Sequence, residues 1–106
     1  GASSEVIETK VTQVIEDVPV TVRGCPADRH CALEADRVRL EVRGKVRRVR
    51  AFATAPPAPS VLADVATPIA AGRREVRLRT PEVNGVRITA TPSRTRFSVL
   101  SEVPAP

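Results

Sequence analysis

At 106 residues the chain has room for one modest hydrophobic core and no second. Its apolar content is 42 %, yet two Phe are the only aromatics and Trp, Tyr and Met are absent. The core must therefore be built from Val, Ile, Leu and Ala, a palette that favours strands over helices. The formal net charge of +5 hides a division: residues 1–36 hold three bases and seven acids, residues 37–106 fourteen bases and five acids. A basic majority of this kind suits nucleic acid, anionic lipid headgroups or an acidic protein surface. Fifteen Arg against two Lys is equally what compositional drift in a GC-rich genome supplies. No stretch approaches the roughly 20 apolar residues needed to cross a bilayer, and the opening residues do not read as a signal peptide, so an anchor is expected outside this chain.

Ten prolines and five glycines punctuate the chain often, as many short strands joined by turns require. From Glu5 to Ile15 the residues are polar and β-branched by turns, an edge strand with a kink. Val18, Val20 and Val22 alternate with Pro19, Thr21 and Arg23, a second strand in which Pro19 asks for the start or an edge. Residues 24–35 read as a loop. In RVRLEVRG, Val38, Leu40 and Val42 face one way and Arg37, Arg39, Glu41 and Arg43 the other, with Gly44 closing the strand. Val46, Val49 and Phe52 then recur every third position, predicting a helical turn against the sheet edge.

Residues 53–60 (ATAPPAPS) form a stiff extended connector. Residues 61–65 form a short strand and Gly72 a turn. Val76 and Leu78 alternate with Arg77 and Arg79. Asn84-Gly85 is a hairpin signal before the Val86, Ile88, Ala90 alternation. Pro92 breaks that run, and Phe97 and Val99 alternate with Arg96 and Ser98. The expectation is one all-β domain over residues 5–100, with six to seven short strands in a small mixed, barrel-like sheet and one helical turn. Residues 1–4 and 101–106 are expected to be flexible ends.

The order of these landmarks resembles the YbbR domain family, a bacterial β module that usually occurs in tandem. The resemblance rests on IETKVTQVIEDVPVTVRG, RVRLEVRG, SVLAD with Gly72 following, REVRLRT, NGVRITATP and SRTRFSVL, over about residues 5 to 100. Ala35 stands where the family often has Pro, and the connector at residues 53–60 is longer than usual. The resemblance implies an L25-like β fold on the extracytoplasmic side of the bacterial cell membrane, in a protein anchored elsewhere in its chain. It implies a non-enzymatic interaction and spacer module that regulates a membrane diadenylate cyclase and so cyclic di-AMP synthesis. The partners implied are the cyclase or neighbouring YbbR domains, with an anionic membrane surface a further possibility, and the isolated domain a monomer. The family brings no catalytic or cofactor-binding residues, so no cofactor and no metal are expected.

Read for themselves, Cys25 and Cys31 bracket CPADRHC, a spacing that permits a disulfide once Pro26 turns the chain; free thiols remain the alternative. The location implied by the resemblance favours the disulfide. A metal site drawn from Cys25, Asp28, His30 and Cys31 lacks the two recurring ligand pairs of structural zinc. With a single His, a nucleophile-and-base pair has only His30 to draw on. Asp64 is the one carboxylate in an apolar segment, and its short side chain suits capping a turn.

Arg37, Arg39, Arg43, Arg77, Arg79 and Arg87 occupy outward strand positions and would form one basic interaction face if their strands were neighbours. Such a face makes L25-like RNA binding the alternative function. Against it, single-stranded nucleic acid needs stacking aromatics, and Phe52 and Phe97 fall in core positions.

Overall fold

The computed structural model describes residues 9–101, which form seven strands and two helices. The expected strand content of residues 5–8 and the expected flexibility of residues 1–4 and 102–106 lie outside the described residues. Ser101, expected in the frayed tail, is the last residue of a paired strand.

The first strand, β1 (Lys10–Arg23), merges what the sequence presents as two elements. Its inward residues have odd numbers at first (Val11, Ile15) and even numbers later (Val18, Val20, Val22). Because side chains alternate strictly along a strand, that change of parity demands one extra residue. A β-bulge supplies it: Ile15 pairs with Leu40 and Val18 with Val38, so Glu16 and Asp17 together oppose Arg39. Asp17 takes φ +54°, a left-handed conformation that Asp tolerates far better than a β-branched residue.

Pro19 is neither at the strand's start nor on an edge. It is the last β1 residue paired with β3 (Arg37–Lys45), and from Val20 onward β1 runs parallel to β4 (Val61–Asp64). Val20 N–H donates to Asp36 O at 3.0 Å, so residue 19 turns its nitrogen away from β3. At this changeover the missing N–H interrupts neither ladder.

β3 alternates without a fault, burying Val38, Leu40, Val42 and Gly44 between β1 and β6 (Val86–Thr91). Gly44 does not end the strand; it allows close approach, since a Cβ there would lie 2.6 Å from Gly85 O. The helix α1 (Val46–Thr54) follows directly and covers the core with Val49, while Phe52 packs half-buried against it and Val46 is half-buried. It stops at Ala55, which is extended because Pro56 follows. After β4 comes α2 (Ala66–Ala70), an element the sequence reading did not predict.

Residues 24–35 are not all loop. They contain β2 (Arg29–Leu33), which pairs with β7 (Arg94–Ser101), and β7 pairs in turn with β5 (Glu75–Arg77). The two sheets, β4-β1-β3-β6 and β2-β7-β5, meet at reciprocal backbone bonds between Leu62 and Arg79 of 2.9 and 2.8 Å. The result is one curled, mixed seven-stranded half-barrel, in line with the all-β expectation.

Its hollow is filled by Leu40, Val42, Val49, Val61, Ala63 and Val65, none more than 1 % exposed. Each of the larger ones contributes about 1.5–3 kcal/mol of hydrophobic stabilisation. The one buried polar side chain among the described residues, Thr95, is satisfied: its Oγ1 accepts from Ala35 N–H at 2.8 Å and donates to Arg96 O at 3.0 Å.

Candidate interaction surfaces

Alternation along β3 and β6 sends Arg37, Arg39, Arg43 and Arg87 to the outer face of the four-stranded sheet, where all four are exposed. Arg43 and Arg87 stand directly opposite each other. Arg39 Nε lies 3.0 Å from Glu16 Oε1, and Arg37 Nη1 donates to the Asp17 carbonyl at 3.2 Å, so the bulge that turns β1 also anchors two of the arginines. Glu41 interrupts the row, and Val14, its register partner on β1, is 48 % exposed. This face is mixed in sign, with an exposed apolar residue at its β1 edge.

Arg77 and Arg79 are not part of it. β5 has no ladder with β3 or β6, so the six arginines do not form one surface, because the order of strands in space differs from their order in the chain. Arg77 faces Arg94 across the β5–β7 ladder, and Glu75 faces Arg96. Arg73, Arg74, Arg77, Arg94 and Arg96 surround an open hollow of about 500 Å³ that holds one carboxylate, Glu75, whose Oε1 is 3.7 Å from Arg94 Nη1. The sequence reading missed Arg73, Arg74, Arg94 and Arg96 as members of any surface. The signal available was SRTRF, whose two arginines share parity.

Arg79 lies at the seam between the sheets, where it acts on Asp64. Asp64 Oδ2 accepts from Arg23 Nη2 at 3.0 Å and Oδ1 from Ala66 N–H at 3.3 Å, the turn-capping role its position suggests. The Arg23 hydrogen bond chiefly, helped by Ala66 N–H and the charges of Arg23 and Arg79, holds the Asp64 carboxyl below its ordinary range; desolvation works the other way. Just upstream, Gly24 takes φ +84°, and a Cβ there would meet the Ala66 backbone nitrogen at 2.9 Å.

Cys25 and Cys31 are joined as a disulfide across a Cα separation of 6.0 Å, tying the end of β1 to the inward side of β2. His30 is exposed on the opposite side of β2 from Cys31. Phe97 is buried, whereas Phe52 is only half-buried. Among the described residues no three of His, Cys, Asp and Glu lie close enough to hold a metal ion, and no helix is long and apolar enough to cross a membrane.

A curled mixed half-barrel with a β1 strand bent at a bulge and two exposed basic faces defines the class: a small all-β module. No protein-family model matches the sequence, and no curated protein is similar to it. Two solved structures share the architecture. A crystal structure of a YbbR-like domain from Listeria monocytogenes superposes with a TM-score of 0.70 at 21 % identity, covering 91 % of this chain and 99 % of that one. A YbbR-like protein from Streptococcus pneumoniae superposes with a TM-score of 0.69 at 22 % identity, over 90 % of this chain and 49 % of that one, so this chain spans about half its length. The chain has the YbbR-like domain fold.

Proposed function

We propose that this chain is a non-enzymatic, extracytoplasmic contact and spacer module of a membrane-tethered protein, and that it influences a membrane diadenylate cyclase by docking. The observation that carries the reading is the YbbR-like half-barrel together with the outer face of its four-stranded sheet. That face joins an exposed apolar residue, Val14, to charges of both signs, Glu16, Arg39, Glu41, Arg43 and Arg87. Charges of both signs beside an exposed apolar residue suit a protein surface, where complementary charge gives orientation and specificity.

Tagged protein isolated from bacterial membranes is expected to carry the cyclase with it. The double charge reversal Arg43→Glu/Arg87→Glu is expected to abolish that recovery and to shift cyclic di-AMP levels. Recovery of ribosomes in place of the cyclase would overturn the assignment in favour of RNA binding.

A further inference from the structure

The two basic faces are not equivalent. On the four-stranded sheet Glu16 and Glu41 temper the arginines, and Arg37 and Arg39 are already engaged. Around β5 and β7 five guanidinium groups meet two carboxylates, Glu75 within the hollow and Glu34 at its border beside Arg74, Arg94 and Arg96. Arg74 is held in place there, its Nη1 donating to the Arg73 carbonyl at 3.0 Å and its guanidinium 6.0 Å from the centre of the Phe97 ring. Arg94 has one distant partner in Glu75, and the Arg73, Arg77 and Arg96 side chains make no ion pair among the described residues. Arg77 and Arg94 oppose each other directly, an arrangement of like charges that destabilises a bare sheet and is relieved by an anion between them.

We infer that this β5–β7 face is the surface the domain turns toward an anionic bilayer, with lipid phosphates seated among the five arginines. Guanidinium groups match phosphate oxygens bidentately and stay charged at any physiological pH. Outward residues two apart on one strand are about 6.6 Å apart and neighbours across the ladder about 5 Å, so the face is a grid of separate cations rather than one socket. The hollow is shallow and open, and its one apolar member is Val76, so a nucleobase finds no aromatic to stack on there. The outward row of β7 continues from Arg94 and Arg96 through Ser98 to Leu100, which is 49 % exposed. An apolar tip at the end of a basic row suits the headgroup boundary, where the side chain leaves water while the arginines keep their phosphates. The inference deepens the membrane-tethered reading above and rests on it.

The test is co-sedimentation of the whole chain with vesicles of phosphatidylglycerol and phosphatidylcholine, against vesicles of phosphatidylcholine alone. Binding is expected only to the anionic vesicles and is expected to weaken with salt. Arg77→Gln/Arg96→Gln removes two surface cations and is expected to lower partitioning roughly thirty-fold, at about tenfold per 1.36 kcal/mol. Arg43→Gln/Arg87→Gln makes the same change of net charge on the other sheet and is expected to leave partitioning within about threefold of the parent, since those groups lie outside the β5–β7 face. Equal losses in both variants would reduce the effect to net charge and overturn the assignment. So would retention on polyglutamate that depends on Arg77 and Arg96 without any vesicle binding. Cyclase recovery by the Arg77→Gln/Arg96→Gln protein reports separately on the docking reading, which stands or falls on Arg43 and Arg87.

Discussion

Asp64 concentrates in one side chain much of what holds the seam of the half-barrel. It accepts from Arg23 on the neighbouring strand and from Ala66 at the start of α2, and Arg79 adds favourable charge. A carboxyl whose pKa is lower in the folded state than in the unfolded chain stabilises the fold above its unfolded pKa of 3.8. That contribution is lost as the pH falls through the lower folded value. Asp64→Asn is therefore expected to lower the melting temperature at neutral pH and to narrow the gap from the parent as the pH drops below about 4, which circular dichroism melts across about pH 2 to 7 would show. An undiminished gap at low pH would mean that the side chain acts by shape and not by charge.

Among the elements, β1 shows best how a register device becomes a fold. The bulge at Glu16 and Asp17 is the only reason Ile15 and Val18 face the same core, and it bends the strand from β3 toward β4. Deleting Asp17 would restore simple alternation and turn Val18, Val20 and Val22 outward, or else Val11 and Ile15. The shortened chain is expected to lose cooperative melting and amide protection across β1, β3 and β4. If protection persists throughout those strands, the bulge has an alternative location and residue 17 does not set the register. β2 teaches a different lesson. RHCAL carries only Cys31, Ala32 and Leu33 as apolar residues, too little for its own sequence to declare a strand. It becomes one because β7, more than sixty residues later, offers it a ladder.

For the whole molecule the question is how two sheets are kept together. They touch through the Leu62–Arg79 bonds on one side, and on the other the chain passes from β1 to β2 through the loop that Cys25 and Cys31 close. A ring this short contributes about 2 kcal/mol by restricting the unfolded chain. Replacing both cysteines with Ser, or reducing them, is expected to lower unfolding stability by about that amount in denaturant titrations. Thiol counting on the unreduced, unfolded protein, expected to find none, checks that the bond forms outside a reducing compartment.

Much of this was legible without coordinates. The β3, β5, β6 and β7 alternations, the α1 turn and the exposure of every predicted arginine follow from local periodicity, because whether a side chain faces core or water depends on its immediate neighbours along the strand. Parity also marked the break at residues 16–17, although as a division between two strands and not as a bulge within one. What local pattern cannot carry is which strand lies beside which. Pairing is decided by long-range closure of the curled sheet around one shared core, and that closure placed Arg77 with Arg94 and Arg96 rather than with Arg43 and Arg87. The residues set how many cations the surface bears; the tertiary fold alone divided them into a mixed face and a predominantly cationic one.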